Sequence, residues 1–389
     1  MYINFNNRKV VDFLRVLMIT PNFNYEIVQG GQLINKRNYE ILNNCCDKLD
    51  LFFIKDISNS DSCAFVRRMY TFFSIILYKN FYGINRAEKN KLLNLLKKVK
   101  YDICFLSSSL GGSIVFDIKR QCPDVKVIVF FHNLEYKFYW QLAERTGKYK
   151  MLLAFNAKKN ERTAIKYADS IIALNNRDAS EIKNLYKRSV DFILPTTFTD
   201  KYKNENISNS NLQGNKNLLF VGSNFYANFD AIEWFTKNVL PSLKNCTLNV
   251  VGKGTEEWRA IFKDIKNLNI VGAVDSLENY YEKADAVVLP IFLGSGMKTK
   301  TAEALMYGKY IFGTKEAFEG YDIDFNKIGG LCQDREAFIN AIKKHFNVCH
   351  DKYNNYSRKM FIEKYSTDKY INKFKEFLCN LCNKNKGYN

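Results

Sequence analysis

Apolar residues along this chain come in short runs separated by amphipathic stretches of helical length, an alternation that predicts strands and helices in turn. In the N-terminal half the strand runs cover residues 13–20, 49–54, 103–106, 126–131 and 170–174, spaced by helical patterns such as 87–99 and 156–167. The first run leads into a loop carrying Gly30 and Gly31 and then a helix over about 32–44, a βα unit with glycines at its turn. A second series follows, with strands at 217–221, 247–251, 268–271, 286–289 and 310–313 and helices at 227–239, 255–265, 277–283 and 299–307. Strands alternating with helices imply parallel sheets covered on both faces. The expected fold class is α/β, two Rossmann-like domains facing each other across a cleft bounded by strand C-termini, where ligands of open α/β sheets bind.

A polar stretch around 200–217, rich in Asn, Lys and Ser, reads as a connection. The expected division is therefore an N-terminal domain over 1–200, a connection over 201–217 and a second domain over 218–365. A terminal helix over 366–389 carries Tyr370, Phe374, Phe377 and Leu378 at helical spacing. A length of 389 residues suits two cores rather than one.

Composition narrows the partners. A net charge of +18 draws the protein to anions, whether nucleotide diphosphates, nucleic acid or an acidic bilayer. No helix-turn-helix, zinc finger or RNA-binding aromatic signature accompanies the charge, so nucleic acid is not an expected partner. The N-terminus lacks a secretory pattern, because the apolar run 13–19 is broken by Arg15. Ten cysteines, scattered apart from Cys45-Cys46 and Cys379-x-x-Cys382, fit reduced thiols in the cytoplasm. The segment from Phe65 to Tyr82 mixes aromatic and aliphatic residues with flanking cations. It is too short to span a bilayer, which needs roughly 20 apolar residues. It could lie in an anionic membrane interface or pack on the first sheet, and the sequence leaves both open.

The richest chemistry lies in Pro290-Ile-Phe-Leu-Gly294-Ser295-Gly296-Met297-Lys298-Thr-Lys300-Thr-Ala-Glu303, which reads as a strand end, a glycine turn and a helix start. Glycines let backbone approach a ligand, and the free N–H groups and dipole of a helix N-terminus favour an anion. Lys298 and Lys300 place mobile cations at the same end, and Glu303, one turn in, can accept hydrogen bonds from paired sugar hydroxyls. Together they suit a nucleoside diphosphate or nucleotide sugar.

This segment, with Thr314-Lys-Glu316-Ala-Phe-Glu319-Gly320 beyond it, resembles the donor-binding signature of GT-B glycosyltransferases, specifically the family 4 (group 1) retaining enzymes. Strand ends followed by glycine at Gly222-Ser223-Asn224, Gly252-Lys253-Gly254 and Val271-Gly272-Ala-Val274 look like further donor loops of that family, and Val129-Phe-Phe-His132-Asn133-Leu-Glu135 resembles its His-Asn-x-Glu segment. The resemblance implies that Glu303 holds the donor ribose and that Gly294, Ser295, Gly296, Met297 and Lys298 cradle the diphosphate. It places Gly222, Ser223, Asn224, Gly252 and Gly254 along the donor, Val271 and Val274 along the nucleobase, and Gly30 and Gly31 near diphosphate and acceptor. His132 would hydrogen-bond the transferred sugar or diphosphate and is charge-tunable near neutral pH. His132, Lys298 and Glu303 are the expected catalytic residues. Glu161, Asp169 and Asp178 match recurrent positions and read as packing features.

The implied activity is transfer of a sugar from a nucleoside diphosphate donor to a hydroxyl of a glycan or lipid-linked glycan, with retention of configuration, in bacterial-type surface polysaccharide or glycoconjugate synthesis. No metal or cofactor is expected, since no His/Cys cluster suggests one. The expected location is cytoplasmic, with peripheral contact at the inner membrane face through residues 65–82. Two departures stand out: Ser295 occupies the position of a glutamate found in many members, and Ser223, Asn224 and Asn228 stand where many carry Arg and Lys. The alternatives are a non-catalytic GT-B subunit that binds glycan and a nucleotide-sugar epimerase on a related scaffold.

Overall fold

The structure is a computed structural model that describes residues 13–21, 30–54, 86–147, 151–202, 214–294, 296–348 and 351–383. The segment 65–82 and Ser295 lie outside the described residues.

In the N-terminal half, strands β1 (Arg15–Pro21), β2 (Lys48–Ile54), β3 (Ile103–Leu106), β4 (Lys126–Phe131), β5 (Ser170–Ala173) and β6 (Phe192–Ile193) form a parallel sheet in the order 2-1-3-4-5-6. Its helices are α1 (Gly30–Cys45), α2 (Arg86–Lys98), α3 (Gly112–Gln121), α4 (Glu135–Thr146), α5 (Met151–Tyr167) and α6 (Asn176–Tyr186). In the C-terminal half, β7 (Lys216–Val221), β8 (Cys246–Val251), β9 (Leu268–Gly272), β10 (Ala286–Leu289), β11 (Ile311–Gly313) and β12 (Gly329–Leu331) form a second parallel sheet in the order 12-11-10-7-8-9. Helices α7 (Tyr226–Asn238), α8 (Glu278–Lys283), α9 (Thr299–Met306), α10 (Phe325–Ile328), α11 (Arg335–Val348) and α12 (Asn355–Met360) flank it. Helix α13 (Thr367–Asn383) ends the described chain.

Continuous apolar runs mark strands covered on both faces. Every residue of β3, β5 and β10 is buried, for that reason. Register is locked by a device that recurs in both sheets: an aspartate just before one strand accepts a hydrogen bond from a main-chain N–H of its neighbour. Asp47 takes that of Leu14, Asp102 that of Arg15, Asp169 that of Val127, Asp191 that of Ile171 and Asp285 that of Asn217, all at 2.7–2.8 Å. Each charge satisfies a donor that the ladder leaves open. The strands therefore start level, and their C-terminal ends form a defined rim.

The expected helix at 255–265 is absent. A short 3-10 turn (Thr255–Trp258) is followed by further three-residue turns, with Ile261 N–H bonded to Trp258 and Ile265 N–H to Phe262. Trp258 and Phe262 are buried all the same, so the apolar spacing was satisfied by turns rather than an α-helix. The pattern also gave no sign of the short edge strands β6 and β12.

The chain passes between the two halves twice, and the passes lie side by side. Phe198 and Ser366 form a parallel bridge, with Phe198 N–H bonded to Tyr365 at 3.1 Å and Thr367 N–H to Phe198 at 2.9 Å. After the second pass α13 packs against the N-terminal half: Phe374 and Phe377 meet Phe192 at ring distances of 5.4 and 4.9 Å, and Cys45 Sγ donates to the Ile371 carbonyl.

Candidate active site

Strand order reverses between β7 and β10 in the second sheet and between β1 and β3 in the first, and ligands of doubly wound sheets bind at such switch points. The sequence motifs collect there. The loop after β7 carries Gly222, Ser223 and Asn224, and the loop after β10 carries Gly294 to Lys298 and runs into α9.

Lys300 reaches from the first turn of α9 to the end of β7. Its Nζ donates to Asn228 Oδ1 at 2.6 Å and lies 4.6 Å from the centre of the Phe220 ring. A side chain on Gly222 would start 3.0 Å from this Nζ and 2.8 Å from Asn228 Nδ2, so the glycine keeps the site open. Asn228 in turn donates to the Ser223 carbonyl at 2.9 Å. A cation from α9 thus stands at the β7 loop. Burial, with repulsion from Lys298 second, pulls the Lys300 ammonium down to about 7.

Lys298, expected to be a mobile cation, is neither free nor exposed. Its Nζ donates to Glu316 Oε1 at 2.6 Å and to the Gly296 carbonyl at 2.8 Å, with 12% of the side chain exposed. Burial lowers its pKa and Glu316 opposes the fall. Glu316, to which the sequence gave no role, therefore sits beside Lys298 and Gly294. Its signal was present in the segment 314–320, but the pairing joins residues 18 apart.

The turn is held from several sides. The Tyr321 hydroxyl donates to the Lys298 carbonyl at 2.6 Å, the Thr301 hydroxyl to the Ala317 carbonyl at 2.7 Å, and Thr314 Oγ1 donates to the Ile291 carbonyl. Met297 is buried against Gly320. No side chain caps α9, whose N-terminus is left to an anion. The Glu303 side chain accepts no hydrogen bond among the described residues, and burial raises its carboxyl to about 7 against the pull of Lys201 and Lys300. An unengaged carboxylate one turn below an anion site is disposed to receive hydroxyls.

The neighbouring donor loops are knitted together by backbone. Gly222 N–H donates to Val251 and Gly252 N–H to Gly272, at 2.9 and 2.8 Å. At Gly252 φ is +157°, and a Cβ would lie 2.1 Å from the Gly222 carbonyl oxygen, so only glycine fits. Asn224 faces Gly254 and is spent on structure, accepting from Trp258 Nε1 at 3.0 Å and donating to Glu257 at 2.8 Å. Val271 and Val274 are half-buried, the Val271 carbonyl taking Arg259 Nη2 at 2.6 Å.

Across the cleft His132 ends β4. Its Nε2 lies 3.1 Å from Asn35 Oδ1, and its ring meets Phe130 edge-on at 5.0 Å. Burial takes the imidazole down to about 4, opposed by a hydrogen bond to the Ser107 main chain. His132 is therefore neutral at physiological pH, a hydrogen-bonding group rather than a titrating one. Gly30 and Gly31 open α1, and nothing stands within 4 Å of where a Gly31 side chain would be. Glu161 is structural, as expected: it accepts from the Glu135 N–H at 2.8 Å and from the Tyr186 hydroxyl at 2.5 Å.

The two rims touch. Gly296 has φ +69°, and its missing Cβ would fall 2.8 Å from the His132 carbonyl. Arg177 on α6 pairs with Glu319 at 3.2 Å. His132 and the Gly296 turn, selected from opposite halves of the sequence, are thus brought together, while Asn224 is bound up in the loop structure.

Residues 215–347 match the family model described as "Glycosyl transferases group 1". Sucrose-phosphate synthase from Thermosynechococcus elongatus superposes with a TM-score of 0.73 at 14% identity, over 95% of this chain and 99% of that one. Anabaena HepE, solved in complex with UDP-glucose, gives 0.64 at 10% identity over 94% and 100%. A glycosyltransferase from Rickettsia africae gives 0.61 at 15% over 95% and 99%. The fold is GT-B. At these identities the likeness fixes architecture alone, and with the group 1 match it supports a GT-B glycosyltransferase. No curated protein matches the sequence. Among the described residues no helix is long and apolar enough to cross a membrane, and no group of three or more His, Cys, Asp or Glu is placed to hold a metal.

Proposed function

We propose that the chain transfers a sugar from a nucleoside diphosphate sugar to a hydroxyl of a glycan or lipid-linked glycan, with retention of configuration. The observation that carries this reading is the convergence of Lys300, the open edge of Gly222 and the uncapped N-terminus of α9 at the switch point, with an unengaged Glu303 one turn below. HepE was solved with UDP-glucose at comparable architecture, which supports a nucleotide-sugar donor here.

In this reading the diphosphate lies over the α9 N-terminus and Glu303 receives the ribose hydroxyls. The sugar–phosphate bond breaks heterolytically, and negative charge grows on the departing diphosphate. Lys300, Lys298 and the turn N–H groups are fixed before the reaction and stabilise that charge without reorganising. Glu316 hydrogen-bonds the sugar, neutral His132, its ring held by Asn35 and the Ser107 main chain, lines the same place, and the acceptor hydroxyl arrives on the face that the diphosphate leaves. The cationic work is assigned to side chains and a helix end, with no metal. The chain acts at the cytoplasmic side of a membrane, in surface polysaccharide or glycoconjugate synthesis.

Calorimetry with UDP, GDP, ADP and CMP on the wild type, Lys300→Met and Glu303→Ala tests the donor site. Binding of one nucleotide, weakened in both variants, is expected, with donor turnover unaffected by EDTA. Absence of any nucleotide binding would overturn the reading and return the chain to the non-catalytic alternative.

A further inference from the structure

We propose that Arg37 anchors a phosphoryl anion in the N-terminal half, a second anion contact besides the α9 turn. This deepens the glycosyltransferase reading and rests on it for the identity of the ligand. Arg37, on α1, is 4% exposed, and its Nε, Nη1 and Nη2 have no hydrogen-bond partner among the described residues. Its one close contact of note is the Phe130 ring, 5.6 Å from centre to guanidinium carbon. A ring face returns only part of what a guanidinium loses on leaving water, so a lone buried charge of this kind points to a missing counter-ion.

The nearby charges do not supply one. Glu40 lies within electrostatic range, but its Oε2 accepts from the Thr199 hydroxyl, and the Tyr370 hydroxyl is neutral at physiological pH. Arg37 reaches the rim through its ring neighbour: Phe130 abuts His132, which is bonded to Asn35 and to the Ser107 main chain. Asn38, next to it on α1, and the Ser107 hydroxyl are likewise buried without hydrogen-bond partners among the described residues. An unpaired guanidinium on an element with further unsatisfied polar groups is complementary to a tetrahedral oxyanion. The place fits as well, since the His132 carbonyl is where the Gly296 turn closes on this rim. The phosphoryl group comes either from the donor diphosphate or from a phosphate on the acceptor.

The test uses the full chain, Arg37→Met and Arg37→Lys, thermal melting, and calorimetry with UDP, GDP or ADP and with inorganic phosphate added before and after nucleotide saturation. Arg37→Met is expected to raise the Tm of the ligand-free protein, because it removes an unpaired buried charge, and to weaken anion binding about tenfold or more. Arg37→Lys should retain part of that binding. If the nucleotide is the ligand weakened, the donor is the source; if inorganic phosphate binds the nucleotide-saturated wild type but not the variant, the acceptor is. A variant that melts lower and binds nucleotide and phosphate as the wild type does would overturn the proposal and make Arg37 structural. Should no nucleotide bind the wild type, the donor reading fails, while phosphate binding to the nucleotide-free protein still decides the role of Arg37.

Discussion

At the donor rim both lysines have partners, Lys298 in Glu316 and Lys300 in Asn228, and the glycine loops are tied by backbone hydrogen bonds. At the opposite rim Arg37, Asn38 and Ser107 are buried with polar atoms unsatisfied. On one side the cations are held before any ligand arrives, with Glu303 and the helix end left open; on the other the cation itself has no hydrogen-bond partner among the described residues. The difference separates two tasks, because a preorganised rim stabilises charge at no reorganisation cost, whereas an unsatisfied rim gains most from the ligand that completes it.

The largest effect that breaks this comparison is expected from Gly252→Ala. Backbone would be driven into backbone at φ +157°, costing about 3 kcal/mol or more and loosening every donor loop. Urea unfolding measures it, and a loss under 1 kcal/mol would show that the loops are not mutually fixed.

Next comes Lys300→Met, expected to weaken nucleoside diphosphate binding about 100-fold without lowering the Tm. With Lys300 near 7 in the free protein, binding at pH 8 should take up a proton, because the diphosphate restores the ammonium. Calorimetry in buffers of different ionisation heat reads this uptake, which should vanish in the variant.

Glu303→Ala should cost about tenfold in nucleotide affinity. A deoxyribose analogue should lose affinity in the wild type and little more in the variant; equal losses in both proteins would remove Glu303 from the ribose.

His132 sharpens the contrast through pH. Its folded-state pKa, about 4, lies below the ordinary 6.5, so unfolding takes up a proton between these values. Stability should fall as pH drops from 6.5 toward 4, and His132→Asn should flatten that slope in chemical denaturation.

The smallest effect belongs to Glu319→Gln. Its pair with Arg177 is partly solvated and Arg177 keeps Asp178, so urea unfolding should show a change of about 0.5 kcal/mol.

Most of the donor half could be read from the chain because its site lies on consecutive residues. Strand end, glycine turn and helix start follow one another from Ala286 to Glu303, and the β10 run is buried along its whole length. The state of those residues could not be read. Lys298 and Lys300 looked like free cations because Glu316 and Asn228, their partners, are brought in by tertiary folding, the second from 72 residues away. His132 looked titratable because its burial against Phe130 has no local signature. Arg37 escaped notice altogether, since one basic residue on an amphipathic helix reads as solvated surface until the packing of α1 is known. The failed helix at 255–265 has the same origin, for Trp258 and Phe262 reach the core equally well from successive tight turns.

The paired crossings at Phe198 and Ser366 set how the cleft can move. Two strands held together by their own hydrogen bonds act as the spine of a book. The halves can turn about it with those bonds intact, whereas sliding past one another would break them. A rotation about this seam would thus keep the α9 turn and the His132 strand end opposed, with no search for alignment.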